Sequence, residues 1–283
     1  MKKVFEKYMV LKKIVIALGV ILCVVIALFL TQFPWWVQPS NERDWNADQV
    51  VLPEVRRDGD VISIKNVRNF SYRSTTDYTP GYYDAIYNLN DLDKVYFVVE
   101  PFTDFPGAAH TFVSFGFKDG RHLAISIEIR KEKGESFSAL GGMMKNYELT
   151  YVIADERDVI KLRSNFRRDE VFVYPVRTTP EKVRALFVSM TARATRIAQK
   201  PEFYHSTFNN CTTNIADHVN EISPNRIPWS WSQILPAAAD KTIYDLGLID
   251  TDLSFEKARK KFHINARALE FADDANFSAK IRE

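Results

Sequence analysis

Cys211 is the residue in this sequence best placed for covalent chemistry. It lies in Asn209-Asn210-Cys211-Thr212-Thr213-Asn214-Ile215. Asparagine is a strong helix N-cap, and Ile215, Val219 and Ile222 then recur at helical spacing. The pattern predicts a helix beginning near Cys211, with the sulfur in its first turn among backbone N–H groups that lack intrahelical acceptors. Such a place favours anions. It suits a thiolate nucleophile, and its N–H groups can serve an oxyanion hole; Asn210 and Thr212 flank the thiol as supporting residues. The plainer alternative is that Cys211 is a small buried hydrophobe, as free cysteines usually are.

A thiol nucleophile needs a base within hydrogen-bond reach and a third group to orient that base. Of the five histidines, His218 shares a helix face with Cys211 but lies two turns on, about 10 Å away. His263 falls in a tail helix and reads as surface, His122 sits beside a turn, and His205 is the reserve candidate. His110 opens the run His110-Thr-Phe-Val-Ser-Phe-Gly-Phe117, which reads as a strand; Lys118-Asp119-Gly120 is a turn, and Arg121 to Ile129 is the returning strand. If Asp119 centres the turn, position n faces position 238 − n. His110 then opposes Glu128, and Ser126 falls on the same face opposite Phe112. Directly opposed side chains have Cβ atoms about 4.5–5.5 Å apart. Glu128 can hold one imidazole nitrogen while the other faces a thiol, with Ser126 joining the network. A register slip of one residue would break the pairing. A His/Glu pair on the open face of a sheet is the alternative.

The elements around this trio follow from composition and pattern. Residues 14–33 are uncharged and mostly apolar, with lysines before them and Trp35 and Trp36 after. About 20 such residues cross a bilayer core of roughly 30 Å, and the lysine bias sets the N-terminus in the cytoplasm. No small-x-small cleavage site follows, so the segment reads as a signal anchor in the bacterial inner membrane, with the body in the periplasm. Cys23 falls within the span, which makes Cys211 the one cysteine of the exported body. Five lysines against Glu6 give the first 33 residues +4 of the net +2, so the rest carries −2. A weakly acidic body without a basic stripe argues against nucleic acid as a partner.

The chain divides into a basic cytoplasmic start (1–13), a transmembrane signal anchor (14–33), a polar juxtamembrane linker (34–55), a thiol-enzyme domain (56–253) and a helical tail (254–283). Strands are expected at 60–65, 94–100, 110–117, 121–129, 147–154 and 170–176. The tyrosine-rich stretch 72–87 reads as an ordered loop. Helices are expected over 180–198, from about 211, and over 255–271, with a loop carrying short helical pieces at 234–252. The fold class is α+β, a mostly antiparallel sheet flanked by helices. There is no metal-ligand spacing, Gly-rich phosphate loop or Gly-x-Ser-x-Gly elbow, so neither a metal nor a cofactor is expected. The charged clusters 155–158 and 163–168 read as solvated faces or salt-bridge networks, with an anionic headgroup site as the alternative.

The segments 60–77, 110–130, 147–165 and 201–214 together resemble the Lnb N-terminal periplasmic domain family, over roughly 56–253. The Asn-Cys-Thr-Thr-Asn and His-x-x-x-Ser-Phe-x-Phe pieces are the specific ones. The resemblance implies a circularly permuted papain-like, NlpC-type domain, in which the histidine strand precedes the cysteine helix and a polar residue on the next strand orients the histidine. The order His110, Glu128, Cys211 matches. It also implies acyl transfer from a phospholipid to a lipoprotein amine. The family acyltransferase has further membrane segments after this domain, whereas one span is predicted here, so reaction class carries over more safely than substrate. The rival readings are a cell-wall peptidase or amidase, and a non-catalytic envelope protein that binds lipid or a partner.

Overall fold

The computed structural model describes residues 2–32, 37–103, 106–224 and 226–283. It separates into two units, Met1–Gln38 and Pro39–Glu283. The first is one helix, α1 (Lys2–Gln32). Its long apolar stretch is Met9–Ala27, five residues earlier at its start than the span read from charge alone, because Met9, Val10 and Leu11 extend the helix through Lys12 and Lys13. Phe33, Trp35 and Trp36, expected at the end of the span and the outer interface, lie outside the described residues.

The second unit is an α+β body. Its strands are β1 (Glu54–Asp58), β2 (Val61–Arg68), β3 (Ser71–Tyr72), β4 (Tyr78–Thr79), β5 (Tyr82–Asn88), β6 (Leu92–Pro101), β7 (Ala109–Phe117), β8 (His122–Arg130), β9 (Glu148–Ala154) and β10 (Phe172–Pro175). The main sheet runs β1-β2-β9-β8-β7-β6-β10, with β5 also on β2. The pairs are antiparallel except β2 with β9, which meet in parallel at Arg68 and Ala154. The sheet is therefore mixed but mostly antiparallel, as expected. The stretch 72–87, read as a loop, holds β4 and most of β5. The consecutive apolar residues Ala85, Ile86 and Tyr87 hide the alternation: Tyr87 is buried while Ile86 faces out.

The central strands are buried on both faces, which is why they read as continuous apolar runs. One face carries Val99, Val113, Phe115 and Ile127 against α4 (Pro180–Gln199) and α5 (Cys211–Ile222). The other carries Val98, Phe112, Ala124 and Val152. It is covered by α3 (Glu156–Lys161), and by α8 (Asn265–Glu270) and α9 (Phe277–Lys280) from the end of the chain; α2 (Ala139–Met143), α6 (Ala239–Asp245) and α7 (Phe255–Phe262) are further short helices of the same body. The tail read as one helix is broken at His263–Ile264, where Ile264 N–H donates to Val171 O and Asn265 receives Val171 N–H. His263, read as surface, is half-buried with its ring tilted against Phe172, centroids 5.0 Å apart. The stretch 39–55, read as linker, is built into the body: Trp45 is buried under the Arg130 guanidinium at 4.2 Å, and Gln49 O accepts from Arg130 Nε at 2.9 Å.

Two buried ion pairs set α3. Asp158 receives Arg68 through two bonds of 2.9 Å and also Phe70 N–H and the Tyr72 hydroxyl. Glu156 receives Ser114 Oγ at 2.5 Å and Arg282 Nη1 at 2.8 Å. After α3 the helix widens into a π turn, Leu162–Arg167, ending at Arg168 in the left-handed region. Such turns are rare and concentrate at functional sites.

Candidate active site

The β7–β8 hairpin has the register that its turn chemistry predicts. Phe112 faces Ser126 and Val113 faces Ile125. Gly120 closes the turn at φ +85°, a conformation glycine adopts without a Cβ penalty. His110 Nε2 lies 2.7 Å from Ser126 Oγ, and Ser126 Oγ donates to Glu128 Oε1 at 2.9 Å. The direct His110–Glu128 separation is 3.9 Å, so the carboxylate reaches the ring through the serine rather than by the direct contact expected. A serine has one hydroxyl proton. With that proton directed at Glu128, Ser126 Oγ accepts from His110 Nε2–H, and the lone pair of the neutral ring is on Nδ1.

Behind Glu128 stands Arg163 from the π turn. It is 2% exposed; its Nη2 donates to Glu128 Oε1 at 2.9 Å, its Nη1 to Val159 O at 2.8 Å, and its Nε meets Glu100 Oε2 at 2.6 Å. Glu100 faces His110 across the β6–β7 pair and is also reached by Arg167 at 3.4 Å. A row Glu100–His110–Glu128 thus crosses three strands, with Arg163 joining the two carboxylates. Burial disfavours a charged Glu128, but Arg163, with His110 and Arg68 behind it, outweighs burial and holds Glu128 well below the usual carboxylate range. Burial, reinforced by Arg163 against the pull of Glu128, pushes His110 down to about 3. The ring is therefore neutral at physiological pH, the form a general base requires.

Cys211 opens α5 as expected, with Asn210 as N-cap. Asn210 Oδ1 accepts from Thr213 N–H at 2.8 Å, and Thr213 Oγ1 accepts from Asn210 N–H at 2.8 Å, a complete capping box. The cap is locked from outside: Asn210 Nδ2 donates to Ser206 O and to Gln233 O. Thr212 Oγ1 lies 2.9 Å from Thr111 Oγ1, which ties the first turn of α5 to β7 beside His110. Cys211 is 7% exposed, and its Sγ lies 3.7 Å from Thr212 Oγ1. Among the described residues no hydrogen bond joins the thiol to the imidazole. Cys211, Asn210, His110 and Glu128 line one cavity of about 550 Å³ at the end of the sheet, with Arg163, Arg167 and Tyr204. Burial raises the Tyr204 phenol, and the nearby Cys211 adds to the effect.

The other histidines have separate roles. His218 is buried between Tyr151 OH at 2.9 Å and Ser189 Oγ at 2.7 Å. His205 Nδ1 receives Thr207 N–H and Phe208 N–H in the turn before Asn210. His122 Nδ1 lies 3.1 Å from Gly120 O at the far end of the hairpin. Glu100 and Tyr204 were not singled out by the sequence, and Arg163 entered only within the charged run 163–168, whose reading as a salt-bridge network its pairs with Glu100 and Glu128 fit. Glu100 left a trace as an acid closing the apolar run Val95–Val99. Among the described residues no group of His, Cys, Asp and Glu has metal-binding geometry.

The model of the Lnb N-terminal periplasmic domain family matches residues 78–237, a stretch that holds Glu100, His110, Ser126, Glu128, Arg163 and Cys211. Neither a curated protein nor a solved structure matches the chain.

Proposed function

Because the chain belongs to the Lnb N-terminal periplasmic domain family, we propose that it is a membrane-anchored, periplasmic thiol acyltransferase. In this reading the body is a permuted papain-like domain, α1 anchors it in the inner membrane, and an acyl chain moves from phospholipid to a lipoprotein amine. The observation that carries the proposal is the hydrogen-bonded run His110–Ser126–Glu128–Arg163 opening on the cavity that also holds Cys211.

The chemistry runs in two halves. His110 Nδ1 takes the Cys211 thiol proton as sulfur attacks the ester carbonyl; the S–C bond forms and the oxyanion faces the start of α5. The tetrahedral species collapses, the ester C–O bond breaks, and the alkoxide leaves with the proton from His110. The amine then attacks the thioester, His110 accepts its proton, and the sulfur departs to be reprotonated. Ser126 and Glu128 hold the ring, and Arg163 keeps Glu128 ionised throughout.

A non-catalytic lipid-binding shell is the second reading, favoured by the low exposure of Cys211 and the missing thiol–imidazole bond. One experiment separates the two. Cys211→Ala and Cys211→Ser chains are expressed in a strain that depends on this protein, and N-terminal acylation of its lipoproteins is read by mass spectrometry. Loss of acylation and of thiol-probe labelling is expected; unchanged acylation and labelling overturn the catalytic reading. Fragments released from purified cell wall only by the Cys211 form would instead favour a peptidase or amidase.

A further inference from the structure

We propose that the rim of the Cys211 cavity is a membrane-docking lip that inserts into the interfacial layer of a lipid bilayer. Five large apolar side chains stand out around it: Phe137, Leu140, Met143, Phe208 and Leu235, each between 41% and 71% exposed. Phe137 and Leu235 also line the cavity itself.

The rim is a closed and well-held ring. The short helix α2 (Ala139–Met143) carries Leu140 and Met143, and its Ala139 O accepts from Ser206 Oγ at 2.7 Å. Gly142 packs so closely on the same segment that a Cβ would come within 2.3 Å of Ser206 Oγ. Phe208 lies in the turn between Ser206 and Asn210, and the Asn210 amide holds both Ser206 O and Gln233 O. Gln233 leads into Leu235, and Ala237 N–H donates to Gly107 O at 3.2 Å. The ring closes where Phe102 meets Phe137, ring centroids 6.5 Å apart. A hydrogen-bonded scaffold thus presents apolar side chains to solvent around the cavity that holds the thiol. Large exposed apolar patches of this kind mark interaction surfaces.

The bilayer is the occupant because of the chain's own connectivity. Helix α1 has the 19-residue apolar stretch Met9–Ala27, and the body begins at Pro39, seven residues after Gln32. Seven residues reach at most about 25 Å fully extended. With α1 in a membrane, the body stays within that reach of its surface, where exposed apolar side chains partition into the interface. The proposal rests on the reading of α1 as an anchor.

The test uses the full chain carrying Cys23→Ala and Cys211→Ser, with a single new cysteine for an environment-sensitive fluorophore. The cysteine replaces Leu140, Phe208 or Ile86; Ile86 is 65% exposed on β5 and serves as the control. Each chain is reconstituted into phosphatidylethanolamine–phosphatidylglycerol vesicles with or without bromine on the acyl chains. Quenching of about twofold or more is expected at 140 and 208 and none at 86. Chains that float with the vesicles yet show no quenching at 140 and 208, or equal quenching at 86, overturn the lip. Chains that do not float overturn the anchor, and the lip with it. In a second measurement, the Leu140→Asp/Phe208→Asp chain should lose about tenfold in acyl transfer from vesicle lipid. Its Cys211 should react with water-soluble iodoacetamide at the wild-type rate. Unchanged transfer from vesicle lipid overturns the lip as well.

Discussion

Replacing Ser126 by alanine would remove the only hydroxyl between His110 and Glu128 and leave those two 3.9 Å apart. The ring would lose its fixed tautomer without losing its cavity. We expect kcat to fall by about 100-fold, the lower range for a general base, with KM nearly unchanged and about 1 kcal/mol lost in stability for the missing bonds. Steady-state kinetics and chemical denaturation read both; a wild-type kcat would remove Ser126 from the mechanism. His110, Ser126 and Glu128 could be found in the sequence because one hairpin carries all three, and a Lys-Asp-Gly turn dictates which residues face each other. Glu100 and Arg163 could not. Their contacts join strands and a π turn 35 and more residues apart, where no local rule relates one position to another.

At the scale of the element, the π turn decides the charge state of the site. Burial holds His110 low and Arg163 adds to it, while the same guanidinium keeps Glu128 ionised against its own burial. The unfolded chain takes up a proton on histidine near 6.5, the folded chain only near 3. Between those values the unfolded state binds more protons, so acidification through that window destabilises the fold. Above it the ring is neutral, the form the proposed base requires. The pH profile of kcat/KM should therefore lack a histidine inflection near 6.5 and keep its acid limb below about pH 5. Arg163→Met should move that limb upward, because it removes a charge that opposes the imidazolium. The same change leaves Glu128 without its main cation and should cost roughly 3–5 kcal/mol, as breaking buried ion pairs does. A pH-rate profile and a melting curve check the two. An inflection near 6.5 in the wild-type chain would overturn this view of His110. The α5 start was legible because capping chemistry is local, whereas nothing in Leu162–Arg167 announces a π turn.

For the whole molecule, the layers were legible and the connections between them were not. Strand-forming runs and helical spacing marked a sheet flanked by helices, but no local pattern showed that the second face is covered by the end of the chain, through Arg282 on Glu156 and Phe277 in the core. The short span from Gln32 to Pro39 has a consequence for how such an enzyme would be assayed. If α1 anchors the proposed catalyst, the seven residues from Gln32 to Pro39 limit its reach to about 25 Å, and it meets lipid at a concentration set by that reach, not by the test tube. Its natural unit of substrate is molecules per area of membrane. Diluting proteoliposomes tenfold at a constant protein-to-lipid ratio should leave turnover per protein unchanged, while a chain cut between the helix and the body should slow in proportion to dilution. The vesicle, rather than the solution around it, is then the reaction vessel.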